Sequence, residues 1–311
     1  MSDLLRSAGT RSEQAGRSYS NIAFMKVTID PSDNLPAIVT GSWTSRKHKL
    51  LRHYVNISRA ARRGWVDPVE AARRKVPGGP QGAAYIELFC GPGRVCIEET
   101  GSFANGSPLV AYDEAARTHT GFTAMHLGDE RANFCDAVRK RLSERGANPT
   151  MYPMPAQRAA KQIVSTLNPY GLNFAFLDPF GFEDLPFSII ETFGQFKRMD
   201  VLIYVSAMGL QRDLPTWMKS SHCALDHFAP DWRSKVRGMN PSDIVTRGRI
   251  FEHWLSLIQS VGFQDPKGKP PLIRGPNNQA LYWLVLVAKH DLATKFWAAI
   301  SQDENQGEMD L

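Results

Sequence analysis

From Ala84 onward, the chain alternates between short apolar runs and amphipathic segments. Apolar runs bounded by turn residues are typical of buried strands, and segments with apolar residues three or four positions apart are typical of helices. Repeated strand–helix units favour a mostly parallel sheet with helices on both faces and right-handed crossovers. The predicted strands span 84–89, 121–127, 150–154, 173–177 and 200–205, and the predicted helices between them span 108–117, 129–145, 156–167 and 186–196.

The residues after the fifth predicted strand distinguish between two α/β folds. Residues 206–245 have no clear period and are predicted to form an insertion over the top of the sheet. A helix at 246–261, an antiparallel hairpin at 271–274 and 280–289, and a last helix at 291–300 follow. Nucleotide dehydrogenases usually lack such a final antiparallel strand. We therefore predict an α/β, Rossmann-like class I methyltransferase fold, with a mostly parallel sheet and a terminal antiparallel hairpin.

The rest of the chain is divided by composition. The first residues are rich in Ser, Arg and Gly, a basic helix precedes Ala84, and the C-terminus is acidic. We predict a flexible tail at 1–16 and, at 17–80, an N-terminal extension that contains a strand at 22–29, a loop at 31–36 and a basic helix. A Rossmann-like domain follows at 81–301, with a loop at 94–105, and the chain ends in an acidic tail at 302–311.

Cysteine content and apolar runs bear on where the protein works. The four cysteines include no C-x-x-C pair, which predicts reduced thiols rather than a metal site or a disulfide framework. The longest apolar run, 281–288, is too short to span a bilayer, and the N-terminus lacks the apolar core of a signal peptide. We therefore expect a cytoplasmic protein with no metal and no membrane partner.

The first predicted strand ends in the sequence F-C-G-P-G-R at 89–94. Two glycines one residue apart allow backbone to approach a nucleotide or nucleoside closely, although an ordinary turn fits them as well. Ligands of such sheets bind at the carboxyl ends of the strands, where the first and fourth strands meet. We expect Glu87 to receive the amino group of S-adenosylmethionine or else to form a salt bridge. The loop residues predicted to bind the cofactor are Phe89, Cys90, Gly91 and Gly93.

The second predicted strand is followed by two carboxylates, Asp129 and Glu130. A carboxylate at this place holds the ribose hydroxyls in dinucleotide sites, which predicts the same contact here. Asp129 is equally suited to cap the following helix. Gln157, at the start of the helix after the third strand, is also assigned to the cofactor site.

The fourth predicted strand ends in Asp178-Pro179-Phe180-Gly181. Enzymes that methylate an exocyclic base amine place a polar residue, a proline and an aromatic residue here. The polar group orients the amine while the aromatic ring stacks on the base, so Asp178, Pro179 and Phe180 are the predicted catalytic residues. A turn led by Asp is the structural alternative. A second alternative is a metal-dependent nuclease that uses Asp178 with Glu183 and Asp184, although no further ligand is spaced to complete such a site.

Basic residues point to a polyanionic partner. The formal net charge is +6 and the pI about 9.2, and the segment 46–75 carries far more basic than acidic residues. A phosphate-contacting surface for nucleic acid and a solvated helix face both fit this pattern. The predicted contacts are Lys47, Arg52, Arg62, Arg63 and, in a loop after the fifth strand, Arg212.

Five motifs follow one another along the chain: Trp43-Thr44 with Lys47, Leu50 and Tyr54; 86–94; 106–109; 176–181; and 282–288 with 296–297. In this order they resemble the three-Cys-motif partner protein (TcmP) family. The resemblance implies a methyltransferase-like domain and a partner that carries the three cysteines and looks like a radical S-adenosylmethionine protein. Glu87 and Cys90 depart from the family's more usual Asp and Ala, and Gly128 stands where an acidic residue is expected.

Three functions therefore follow from the sequence, in order of preference. The first is S-adenosylmethionine-dependent N-methylation of an exocyclic amine of a nucleic-acid base. The motif 178–181 also resembles that of guanine-N2 tRNA methyltransferases, which favours a base by analogy. The second is a non-catalytic, methyltransferase-like scaffold for the three-cysteine protein, and the third is the metal-dependent nuclease.

Overall fold

The computed structural model describes residues 25–264, 270, 272–275 and 278–290. The tails predicted at 1–16 and 302–311 and the helix predicted at 291–300 lie outside the described residues.

In the described part of the chain, seven strands form the central sheet. From one edge to the other they are β7 (Thr150–Tyr152), β6 (Ala124–Gly128), β3 (Ala83–Glu87), β8 (Leu172–Leu177), β9 (Met199–Ser206), β11 (Ala280–Val287) and β10 (Leu272–Arg274). The first five are parallel, and β11 runs antiparallel to both of its neighbours. If the seven strands of this sheet alone are numbered by their order in the sequence, they lie in the order 3-2-1-4-5-7-6. This is the strand order of the class I methyltransferase fold. The predicted fold class is confirmed.

Helices cover both faces of this sheet. Alternate residues of β3 face opposite cores, so that Tyr85 packs on one side and Ile86 on the other. The helices of the described residues are α1 (Trp43–Ile57), α2 (Arg59–Val66), α3 (Pro68–Arg73), α4 (Ser107–Arg117), α5 (Ala132–Ser143), α6 (Ala156–Thr166), α7 (Phe187–Gly194), α8 (Ala207–Trp217), α9 (Ala224–Phe228), α10 (Trp232–Lys235) and α11 (Ile244–Ser260). Helices α1, α4 and α5 cover the Tyr85 face, and α6 to α11 cover the Ile86 face.

A second, four-stranded sheet forms beside the first within the described residues. Its strands, in order, are β1 (Val27–Asp30), β2 (Leu35–Thr40), β4 (Arg94–Ile97) and β5 (Phe103–Asn105). The prediction of a loop over 94–105 was therefore wrong. Strands of three or four residues leave little periodicity in the sequence, and β4 pairs with β2, which lies far away along the chain.

One buried side chain joins this sheet to the glycine loop. Arg141 of α5 is 2% exposed and donates to both carboxylate oxygens of Asp33, at 2.6 and 2.8 Å. It also donates to the carbonyl of Pro92, at 2.6 Å. The N-terminal hairpin thus helps to fix the loop that follows β3. No helix in the described ranges is long and apolar enough to cross a membrane.

Candidate cofactor and acceptor cleft

A cleft of about 600 Å³ opens where the carboxyl ends of β3 and β8 meet. A smaller cavity of about 180 Å³ adjoins it and extends toward the ends of β6 and β7. Phe89, Phe180 and Glu183 line both of them, so the two spaces form one groove across the strand ends.

The glycine loop forms one wall of the cleft. Gly91 and Gly93 both have positive φ, at 55° and 82°. A Cβ on Gly93 would lie 2.8 Å from Leu109 and 2.9 Å from Val138, so packing of the loop on α4 and α5 requires glycine there. Cys90, which is buried, also lines this wall.

Glu87 lies beneath this wall and is fully buried. The Tyr85 hydroxyl donates to one carboxylate oxygen at 2.7 Å, and the Ser107 hydroxyl donates to the other at 2.5 Å. Burial raises the pKa of Glu87 to about 8, although both hydroxyls oppose the shift. The structure therefore places Glu87 out of direct reach of a ligand, behind Ser107, which lines the cleft. Ser107 is the first residue of α4, and Gly106 is the N-cap.

Asp129 lines the smaller cavity together with Glu130 and Gln157. The backbone N–H of Gly91 donates to its Oδ2 at 3.1 Å, and that of Arg131 donates to its Oδ1 at 2.9 Å. Burial raises the pKa of Asp129. The predicted start of a helix at this residue was wrong, because α5 begins at Ala132.

Gly128 ends β6 where an acidic residue is expected, and the carboxylate follows at Asp129. A Cβ on Gly128 would lie 3.4 Å from the side chain of Ala159 in α6, which is an ordinary van der Waals contact. Gln157 is exposed at the start of α6, and its amide donates to the Ser188 hydroxyl at 2.7 Å.

Asp178, Pro179 and Phe180 follow β8 directly and line the cleft opposite the glycine loop. Phe180 is 47% exposed, so its ring is accessible from the cleft that it lines. Asp178 forms an ion pair with Lys47 of α1. Burial is the largest influence on the pKa of Lys47 and would lower it, but Asp178, Tyr282 and Glu87 together outweigh burial and the pKa is raised.

Two of the predicted phosphate contacts lie elsewhere than expected. Lys47 is buried in the cleft instead of facing solvent. Arg62 is 2% exposed, and its guanidinium donates to the carbonyl and hydroxyl of Thr120 and to the Ser58 hydroxyl. Neither side chain is positioned to meet a phosphate on the outer surface.

The other predicted phosphate contacts are accessible. Arg52 and Arg63 are exposed on α1 and α2. Arg212 is exposed at the rim of the cleft, where its Nε lies 2.7 Å from Asp213 Oδ1.

The structure adds residues that the sequence analysis did not assign to the site. His48 and Tyr282 line the cleft beside Lys47. Burial and the nearby charges of Lys47 and Arg52 lower the pKa of His48 to about 3, so its imidazole is neutral at physiological pH. Tyr282 begins the last of the five motifs, which was the signal that could have identified it, whereas His48 only follows the motif residue Lys47.

The acidic residues after Phe180 have a local role. Asp184 Oδ2 accepts a hydrogen bond from the backbone N–H of Gly181 at 3.0 Å, and this bond closes the turn. Burial and the neighbouring Glu183 raise the pKa of Asp184 to about 6. Among the described residues, no group of three or more His, Cys, Asp or Glu side chains could hold a metal ion.

The strand order and the groove at the strand ends define a methyltransferase-like Rossmann protein. No family model matches the sequence, and no curated protein matches it. A solved structure from Legionella pneumophila str. Philadelphia 1, described as DUF519, is similar over 82% of this chain and 91% of its own, with 10% identity and a TM-score of 0.43. The solved structure of an S-adenosylmethionine-dependent methyltransferase from Anabaena variabilis ATCC 29413 is similar over 78% of this chain and 93% of its own, with 13% identity and a TM-score of 0.33.

Proposed function

We propose that this protein is an S-adenosylmethionine-dependent methyltransferase that modifies an exocyclic amine of a nucleic-acid base. The observation that carries the proposal is the position of Asp178-Pro179-Phe180, which faces the glycine loop across one cleft. In this fold the loop after the first strand borders the cofactor and the end of the fourth strand borders the acceptor.

The residues of the groove fit the cofactor. Asp129 offers a carboxylate whose orientation is fixed by two backbone N–H groups, which suits it to accept hydrogen bonds from ribose hydroxyls. Glu130 and Gln157 line the same cavity. The wall formed by 89–93 with Ser107 would border the methionine end, and Glu87 would act through Ser107.

The chemistry required of the protein is mainly alignment. S-adenosylmethionine, when bound, would supply a methyl group that is already activated: the amine nitrogen would form the new N–C bond as the sulfonium S–C bond breaks, leaving a neutral thioether and releasing one proton from the amine. Asp178 accepts a hydrogen bond from the acceptor amine and so directs its lone pair toward the cofactor. Phe180 stacks on the base, and Pro179 restricts the backbone between them. Neither a nucleophilic triad nor a metal is needed for this step.

The substrate class is inferred from charge and shape. Arg212 lies at the rim of the cleft, where it can contact a phosphate while a base enters. The exposed Arg52 and Arg63 lie on α1 and α2. Because α2 packs on residues that precede β6 and β8, at the end of the sheet opposite the cleft, Arg63 would contact phosphates farther from the modified base. The four cysteines are free thiols, which supports an expected location in the cytoplasm.

A second candidate is a non-catalytic scaffold that docks a three-cysteine partner. In that case the Lys47–Asp178 ion pair would be a structural contact between α1 and the end of β8. The resemblance to the TcmP family supports the same candidate.

Three measurements distinguish the candidates: cofactor binding, methyl transfer and formation of a complex with the three-cysteine protein. Calorimetry should show S-adenosylmethionine binding, and no binding below about millimolar would reject the enzyme. Radiolabelled methyl should then be transferred to RNA or DNA from cells that lack the gene. Asp178→Ala should abolish transfer while cofactor affinity stays within a few fold. Cofactor binding with no transfer, together with a stable complex with the three-cysteine protein, would favour the scaffold.

A further inference from the structure

Lys47 differs from the basic residues near it in the sequence because its side chain is buried. It comes from α1 in the N-terminal extension, yet its side chain is only 11% exposed and reaches Asp178 at the end of β8. Lys49, two residues further along the same helix, is exposed. A lysine costs free energy to bury, and its burial here therefore requires a specific set of partners.

Two tyrosines from distant strands hold Lys47 in place. Its ammonium lies 5.1 Å from the ring centroid of Tyr204 and 5.4 Å from that of Tyr282. The Tyr204 hydroxyl also donates to the Lys47 backbone carbonyl, at 3.3 Å. Both the main chain and the side chain of Lys47 are thus fixed against β9 and β11, with the ammonium in cation–π contact.

The ion pair divides the two oxygens of the Asp178 carboxylate between different roles. Lys47 binds Oδ2, so Oδ1 is left to accept a hydrogen bond from a ligand in the cleft. A carboxylate held at one oxygen has a defined direction at the other. Such orientation of a group that contacts the substrate is worth large factors in rate.

Lys47 also sets the charge around Asp178. Glu87 lies close enough for its carboxyl to interact with both Asp178 and Lys47. Without the ammonium, the acceptor site would hold a carboxylate with no fixed counter-charge beside a second carboxyl group. The Lys47 ammonium is thus the counter-charge that pairs with Asp178 in the cleft.

We propose that Lys47 is a positioning residue for Asp178, and that the N-terminal helix α1 is thereby an integral part of the acceptor site. The inference rests on the proposed methyl transfer, because it assigns Lys47 a role in orienting the group that receives the amine. It also replaces the predicted phosphate contact of Lys47 with a role inside the cleft.

The test is a double-mutant cycle between the two residues, with transfer of radiolabelled methyl to RNA and DNA from cells that lack the gene as the assay. Lys47→Met should lower kcat roughly 10- to 100-fold, with cofactor Kd and acceptor KM within about threefold. Lys47→Arg, which keeps the charge, should have a kcat about tenfold higher than that of Lys47→Met. In an Asp178→Asn background, Lys47→Met should cost less than about threefold, because the group that it positions is already altered. Lys49→Met, which removes an exposed lysine of the same helix, should leave kcat unchanged.

Three outcomes would overturn the inference. If Lys47→Met has the same kcat as the wild type, Asp178 needs no positioning partner. An equal loss in the wild-type and Asp178→Asn backgrounds would show that Lys47 acts independently of Asp178. Cofactor binding by the wild type without transfer to either pool would overturn the proposed function, and the inference with it. If Lys47→Met does not fold, Lys47→Gln takes its place in the cycle and the same outcomes decide.

Discussion

Glu87 shows how burial changes the behaviour of a carboxylate beside the cleft. The side chain is fully buried, and its pKa of about 8 lies far above its ordinary value of 4.5. Between these two pH values the folded protein holds a proton that the unfolded chain has released. The free energy of unfolding therefore falls as the pH rises through this range, and the contribution of the protonated form is lost at about pH 8.

Glu87→Gln should remove this pH dependence. The amide stays neutral at every pH, so the variant and the wild type should have similar stability near pH 4.5. At pH 8 the variant should be more stable by a few kcal/mol at most, since each pKa unit corresponds to about 1.4 kcal/mol. Denaturant unfolding of both proteins at pH 5, 6, 7 and 8 measures the difference. Parallel curves across this range would show that Glu87 is ionised in the folded protein.

Single residues also mark the limit of what the sequence could show. Asp178 and Phe180 could be assigned to the site because they follow an apolar run that ends at a known edge of the sheet. The burial of Lys47 could not be predicted, because it depends on Tyr204 and Tyr282, which lie on distant strands. A local pattern of basic residues does not reveal which one turns inward.

At the scale of elements, the main sheet was predictable and the smaller sheet was not. Parallel strands buried on both faces are nearly continuous apolar runs, and β3, β8 and β9 have this composition. The strands β4 and β5 are short and mostly half-buried, and they depend on pairing with the N-terminal hairpin. Their existence is therefore a tertiary effect.

The glycine loop provides a prediction at this scale. Gly93→Ala should destabilise the protein by about 3 kcal/mol, through backbone strain at positive φ and overpacking against Leu109 and Val138. Gly101 also has positive φ, at 67°, but no atom lies within 4 Å of the position of an added Cβ. Gly101→Ala should therefore cost only about 1 kcal/mol.

Thermal and denaturant unfolding of the two alanine variants, with cofactor calorimetry alongside, test this difference. Gly93→Ala should also weaken S-adenosylmethionine binding, whereas Gly101→Ala should not. Equal costs in stability would mean that only the backbone conformation, and not packing of the loop on α4 and α5, requires glycine at Gly93.

For the whole molecule, the distribution of basic residues matters more than the net charge of +6. The N-terminal helices use part of their basic content internally, since Lys47 and Arg62 are both buried. Of the exposed basic residues on these helices, Arg52 and Arg63 are the ones proposed to contact a phosphate backbone. The sequence indicated a basic segment, but the three-dimensional structure was needed to divide it into structural and exposed groups.

Neighbouring arginines of α2 should therefore give opposite results when they are replaced. Arg62→Ala should destabilise the protein by about 2–4 kcal/mol, because it leaves the buried carbonyl of Thr120 without its charged donor. Arg63→Ala should change the free energy of unfolding by less than about 0.5 kcal/mol.

The double variant Arg52→Ala with Arg63→Ala should bind single-stranded RNA more weakly than the wild type. The slope of log K against log salt should become less steep by about 1.4, since each phosphate that is no longer neutralised removes about 0.7 from the slope. Fluorescence anisotropy over a salt series, together with denaturant unfolding, measures both effects. An unchanged salt slope in the double variant would show that these helices do not bind the nucleic acid.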